Sequence, residues 1–181
     1  MKRQKKKGEK NMPPEELLKE VRIFKYLTPG EREIVAKKLI KKSFAKGTVI
    51  FEEKSPGDEM FLITDGVAEV SIARNDARLV LAELGKGLFF GEMALLTEKV
   101  RSATVTAMID CEVFVLKRND FQELVKEYPQ LACGLLLALS EVLCDRILAT
   151  NENLETYFLI NRAIVDNEQF RQLYIHSQTK S

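Results

Sequence analysis

Phe89-Phe90-Gly91-Glu92-Met93-Ala94-Leu95-Leu96-Thr97-Glu98-Lys99-Val100-Arg101-Ser102-Ala103-Thr104 is the segment from which the rest of this chain can be read. Its surroundings have the grammar of short β-strands, and it does not. Glu92 to Leu96 is strongly helix-forming but only about one turn long. Gly91 before it permits a sharp or crowded backbone. The leading N–H groups of such a turn lack intrahelical partners and favour an anion. Glu92 complements the same helix start, or accepts hydrogen bonds from a hydroxylated ligand. Nine residues later Arg101 offers a planar fork suited to phosphate oxygens, with the Ser102 hydroxyl beside it. Two readings fit the pair: a site for a small phosphorylated, hydroxylated molecule, or a Glu92–Arg101 salt bridge that ties the loop down.

On both sides, β-type runs alternate with turn signals every eight to twelve residues. Thr48–Phe51 precedes Ser55-Pro56-Gly57-Asp58, and Met60–Ile63 precedes Asp65-Gly66, a strong short hairpin signal. Val67–Ile72 precedes Arg74-Asn75-Asp76, and Arg78–Leu84 precedes Gly85-Lys86-Gly87. Ser102–Met108 precedes Ile109-Asp110, and Cys111–Leu116 closes the series. This spacing predicts an antiparallel sandwich or barrel, not a parallel βαβ sheet.

Helical patterns flank the strands. Pro13-Pro14 opens a short helix with Leu17, Leu18 and Val21 as its buried stripe. Thr28-Pro29-Gly30-Glu31 reads as a capping box, and Ile34, Val35 and Leu39 predict a helix over 29–41. Lys37, Lys38, Lys41 and Lys42 read as its solvated face. Asn119 is placed to cap a helix carrying Phe121, Leu124 and Val125. Pro129 begins a longer one, in which Leu136, Leu139, Leu143, Ile147, Thr150, Leu154 and Tyr157 recur at three- and four-residue steps. That series resembles a coiled-coil seam and predicts a homodimer through this helix. The fold class expected is α+β: an antiparallel, jelly-roll-like β-roll flanked by N-terminal helices and a long C-terminal helix. Domain boundaries are drawn at 1–12 (a disordered basic arm), 13–158 (the domain) and 159–181 (a C-terminal extension).

Composition narrows the function classes. The chain has 181 residues, 45% of them hydrophobic, enough for one core. Lys+Arg 28 against Asp+Glu 27 leaves a net charge of +1, unlike a domain built to grip nucleic-acid phosphates. No run approaches a membrane span, and the basic N-terminus lacks the apolar stretch of a secretory signal. Cys111, Cys133 and Cys144 form no C-x-x-C, and the only histidine is His176. Disulfide frameworks, metal sites and histidine-based catalysis are therefore not expected. A reduced, cytoplasmic, non-metallo protein is the expectation, and an enzyme is the weakest reading, because the sequence offers no nucleophile–base pair or metal cluster.

The segment Phe90-Gly91-Glu92-Met93-Ala94-Leu95, followed by Val100-Arg101-Ser102-Ala103, resembles the phosphate-binding cassette of cyclic nucleotide-binding domains. The resemblance extends over about residues 14–150. It includes Lys46-Gly47-Thr48-Val49-Ile50-Phe51, Pro56-Gly57-Asp58, Asp65-Gly66 and Gly85-Lys86-Gly87. It implies that Glu92 accepts the ribose 2′-hydroxyl and that Arg101 pairs with the cyclic phosphate. Beside Gly91, which belongs to the same binding set, backbone amides of Glu92, Met93 and Ala94, and of Ser102 and Ala103, would complete the cradle, and the roll would give the base an apolar wall. The lid over the base would come from Leu143, Arg146 and Ile147 of the C-terminal helix. Val100 departs from the proline common there, which implies a less rigid approach to Arg101. Ser102 after the arginine favours cAMP over cGMP, although its hydroxyl can also bond a guanine amino group.

The function implied is a sensor that binds a cyclic nucleotide and signals to a downstream protein whose identity the sequence does not give. Catabolite-activator-type regulators carry a helix-turn-helix module beyond the long helix. Only 24 residues follow Tyr157, so DNA binding by this chain is not expected; the alternative is a fragment of a longer regulator, or of a kinase or channel. A roll that lost nucleotide binding and serves only protein interaction is the third reading, against which Glu92 and Arg101 stand.

Overall fold

The computed structural model describes residues 18–19, 21–75 and 77–166, with the side chains of 164–166 left aside. The basic arm, the helix start at Pro13-Pro14, and His176 lie outside the described residues. Leu18 and Val21, expected on the stripe of that first helix, are fully buried. The chain divides into two compact units, up to Ala138 and from Leu139 onward.

The first unit is a jelly roll. A short 3-10 turn (Arg22–Phe24) and helix α1 (Pro29–Ala36) lead into eight strands: β1 (Ile40–Phe44), β2 (Val49–Phe51), β3 (Glu59–Asp65), β4 (Ala68–Arg74), β5 (Ala77–Leu84), β6 (Phe89–Phe90), β7 (Thr104–Ala107) and β8 (Cys111–Lys117). They form two four-stranded antiparallel sheets, ordered β1-β8-β3-β6 and β2-β7-β4-β5. Phe61, Ile63, Ala68, Phe90, Val105, Val113 and Val115 close the space between them. Each large apolar side chain buried there stabilises the fold by ~1.5–3 kcal/mol relative to exposure.

Between β6 and β7 sits the single-turn helix α2 (Met93–Leu96). After β8 come α3 (Arg118–Glu127) and α4 (Pro129–Asp166). Within the first unit, Leu131, Ala132, Leu135 and Ala138 are the buried face of α4. Gly134 lets that helix approach closely, since a Cβ there would stand 3.2 Å from Leu27 Cδ2.

Four readings of the sequence need correction. Asp65-Gly66 is not a hairpin turn: β3 and β4 belong to different sheets. Gly66, at φ +95°, carries the chain across, and a Cβ there would lie 2.4 Å from the Asp110 carbonyl oxygen. The paired neighbours in sequence are β4 and β5, joined through Asn75 at φ +47°. The helix expected over 29–41 ends at Ala36, because Ile40–Phe44 pairs with Cys111–Val115 as β1. Lys41 and Lys42 therefore stand on a strand, and the lysines are not merely solvated. Lys38 bonds Glu123, Lys41 pairs with Glu112 at 2.7 Å, and Lys42 reaches both Glu59 oxygens at 2.9 Å. Finally, α3 begins at Arg118 with Lys117 at its cap position, so Asn119 lies inside the helix. The Thr28 capping box is present in full, with side chain and backbone bonded reciprocally to Glu31.

Candidate functional site

Arg101 lies in the loop between α2 and β7, and the turn at 54–57 fixes its backbone from both directions. The Lys54 amide donates to the Arg101 carbonyl at 2.8 Å, and the Arg101 amide donates to the Ser55 carbonyl at 2.9 Å. Lys54 adopts φ +65° to make this turn, an unusual conformation for a residue with a side chain. The side chain then folds inward over the aromatic floor of the roll. Its guanidinium stands 4.1 Å from the centre of the Phe51 ring and 5.8 Å from that of Phe61. Phe61 is stacked on Phe90 at 5.1 Å, and Phe51 leans on both rings. A cation over such faces gains ~0.5–2 kcal/mol.

Two glycines make room for this conformation. A Cβ on Gly57 would fall 2.2 Å from Arg101 Nε, and one on Gly91 would fall 2.7 Å from Arg101 Nη1. Gly91 also adopts φ +74°, which a side chain disfavours. The glycines of Pro56-Gly57-Asp58 and Phe90-Gly91-Glu92 thus serve one purpose, close approach of a guanidinium.

The guanidinium is buried, 8% exposed, yet sparsely bonded. Nη1 donates to the Gly91 carbonyl at 3.3 Å, and Nε, shielded from solvent, has no hydrogen-bond partner among the described residues. Burial pushes its ionisation below the ordinary arginine value. Glu59 and Asp58 oppose that, Arg118 adds to it, and Glu92 opposes it most weakly. Arginine still keeps its charge under these conditions. A buried cation with donors to spare suits an anion carrying several oxygens.

Glu92 is buried as well, 6% exposed, in the residue before α2. Met93 is exposed, and the Ser102 hydroxyl lies 4.0 Å from its Sδ. Ala94 and Ala103 are buried beside them. The Ala94 amide donates to the Gly91 carbonyl at 3.1 Å. The structure thus assembles Gly91, Glu92, Met93, Ala94, Arg101, Ser102 and Ala103 around one loop-helix-loop element. Leu143, Arg146 and Ile147 belong to the second unit, on α4, where Ile147 is 60% exposed.

Three contributors escaped the sequence reading. Phe51 and Phe61 form the floor under Arg101, but in the sequence they read only as strand residues. Arg118 donates from Nε to the Ala94 carbonyl at 2.5 Å, and from Nη2 to the carbonyls of Gly57 at 3.1 Å and Thr97 at 2.7 Å. No local motif announces it. Among the described residues there is no cluster able to hold a metal ion, and no helix is long and apolar enough to cross a membrane.

Residues 41–128 match the family model of the cyclic nucleotide-binding domain. The chain is 39% identical over 93 residues to the cAMP-dependent protein kinase type II regulatory subunit of Drosophila melanogaster, covering 51% of this chain and 25% of that protein. It therefore spans about a quarter of the length of such relatives. The regulatory domain of Toxoplasma gondii PKA, co-crystallised with cAMP, is 28% identical at a TM-score of 0.60, over 70% of this chain and 48% of that one. A cyclic nucleotide-binding domain from Methylobacillus flagellatus shares the fold at a TM-score of 0.73 and 21% identity, over 79% of this chain and 85% of that one.

Proposed function

We propose, from the membership of residues 41–128 in the cyclic nucleotide-binding domain family, that the chain is a regulatory module that senses cAMP and carries out no chemistry of its own. The single observation that carries the reading is Arg101: a buried guanidinium seated between Gly57 and Gly91, with an unbonded Nε. In this reading Arg101 pairs with the cyclic phosphate, assisted by backbone amides of Met93, Ser102 and Ala103. Glu92 accepts the ribose 2′-hydroxyl. The cAMP-bound relative supports the choice of ligand. Ser102, whose hydroxyl lies against Met93, is the residue that would permit cGMP as a weaker ligand.

Leu143, Arg146 and Ile147 are assigned the lid over the base, and α4 is assigned a homodimer contact. A ligand shifts such a helix only if it binds one arrangement better than the other. DNA, membrane and a catalytic cofactor have no part in this reading, which places the protein in the cytoplasm, signalling to a partner protein. Calorimetric titration with cAMP, cGMP and 5′-AMP tests it. Saturable binding at micromolar or lower Kd, in the order cAMP, cGMP, 5′-AMP, is expected. No heat with either cyclic nucleotide overturns it.

A further inference from the structure

Phe51 ends β2 opposite Val105, and from that pair two segments run side by side to Arg101. The Glu53 amide donates to Thr104 Oγ1 at 3.0 Å, and the Lys54 and Arg101 amides close the pairing at its far end. From there the Arg101 side chain folds back, and its guanidinium carbon comes to rest 4.1 Å from the centre of the Phe51 ring. Phe61 and Phe90, both buried, brace that ring, each centre 5.8 Å away. The ring has an ordinary core residue's support and a cation on its face. A carboxylate partner and an aromatic partner leave a guanidinium in different states. The N–H donors lie in the guanidinium plane, and a carboxylate consumes them. A ring face attracts the whole cation through its π electrons and consumes none. Arg101 Nε accordingly keeps no hydrogen-bond partner among the described residues, and Nη1 has only the 3.3 Å contact to the Gly91 carbonyl.

We infer that Phe51 is the positioning residue of Arg101: its ring face seats the guanidinium ahead of the anion and leaves the donors free to receive it. Phe51 acts through Arg101. The inference deepens the nucleotide-binding reading and rests on it for the nature of the ligand, but the seat is a property of the chain alone. Burial opposes the charge on Arg101 more than any other influence does. A π face offsets part of that cost without adding a counter-ion that the ligand would have to displace. An aliphatic side chain of similar size would fill the space and offer no such attraction.

Calorimetric titration of the full chain with cAMP tests this on a series at Phe51: the natural ring, its monofluoro and trifluoro analogues introduced by nonsense suppression, and Phe51→Leu. Fluorine draws electrons from the ring face and barely changes its volume, so attraction and packing separate. Affinity should fall with each step of fluorination, reaching about threefold to tenfold for the trifluoro ring, and about tenfold for Phe51→Leu. The same fluorines at Phe44, which meets Phe61 edge-on at 6.3 Å, should leave affinity at the wild-type value. If Phe51→Leu does not fold, the fluorinated chains carry the test. Constant affinity across the fluorinated series, or an equal loss from fluorine at Phe44, overturns the inference. A second reading needs no ligand. The Arg101 Nε–H resonance, assigned by its absence from Arg101→Lys, should lie upfield through the ring current of Phe51 in wild type and return to the ordinary arginine range in Phe51→Leu. A wild-type signal already in the ordinary range overturns the seat. If wild type binds neither cAMP nor cGMP, the nucleotide reading fails, and this resonance still decides for or against the seat.

Discussion

Gly57 shows how much of the site is decided by single atoms. One methyl group there would overlap Arg101 Nε at 2.2 Å, and the neighbouring backbone is pinned by Ser55 and Asp58. The guanidinium must yield. Gly57→Ala should therefore weaken cAMP binding about tenfold or more, ~1.4 kcal/mol, while the melting temperature stays near wild type. Calorimetry beside a thermal melt reads both, and unchanged affinity would show that Arg101 is not the anchor. Glu92 has a different test because its assigned partner is a hydroxyl. Glu92→Gln keeps size but loses the ionised acceptor, so cAMP binding should weaken by ~1–2 kcal/mol. The loss should shrink with 2′-deoxy-cAMP, where the hydroxyl is absent for both proteins. Equal losses with the two ligands would mean that Glu92 acts through the loop rather than through the sugar.

At the scale of elements, α1 is the best test of local physics because its start is fully specified. Glu31 accepts from the Thr28 amide and from the Thr28 hydroxyl, each at 2.8 Å. These bonds, the backbone one first, hold its carboxyl below the ordinary value of 4.5. A carboxyl with a lowered folded value contributes stability above its unfolded value, and that contribution fades as pH falls through the folded one. Glu31→Gln should therefore destabilise the protein at neutral pH, and the difference from wild type should close in acid. Thr28→Ala should cost ~1 kcal/mol. Denaturant unfolding at neutral and acid pH measures both, and a gap that persists in acid would contradict the cap's electrostatic part.

The same elements show what was legible in the sequence. Thr28-Pro29-Gly30-Glu31 announced α1 because capping is local chemistry, and Pro129 announced α4 for the same reason. β1 was missed because Lys41 and Lys42 continue a plausible helical pattern, and only pairing with β8 makes them a strand. Asp65-Gly66 misled because a glycine at positive φ serves a crossover as well as a hairpin. Arg101 and Glu92 were visible as a spacing. Gly57's role and the Phe51–Phe61 floor were not, because they come from residues that the fold alone brings to Arg101.

At the scale of the whole molecule, α4 is 38 residues long, about 57 Å at 1.5 Å per residue. Its later part carries Ile147, Leu148, Leu154 and Tyr157 through Ile160 as exposed apolar side chains. Such a surface calls for a partner, and two-fold pairing of identical chains is the commonest arrangement. Leu139, expected in the same seam, is instead buried within the chain, as is Val142. Without it, the seam proposed for a homodimer would comprise Leu136, Leu143, Ile147, Leu154 and Tyr157. Sedimentation equilibrium at ~100 μM, a concentration at which even a micromolar dimer is populated, should give a dimer for the full chain and a monomer for a chain truncated after Thr150. A monomeric full chain would sink the idea.

All of these scales meet at one guanidinium. Calorimetric titration of Arg101→Ala with cAMP, beside wild type, reads it most directly. Removing one partner of a buried charged pair costs ~2–5 kcal/mol, so affinity should fall from about 30-fold to several thousand-fold with the melting temperature little changed. A variant that still folds and binds cAMP within about threefold of wild type, a difference under ~0.7 kcal/mol, would contradict the cassette as the nucleotide site.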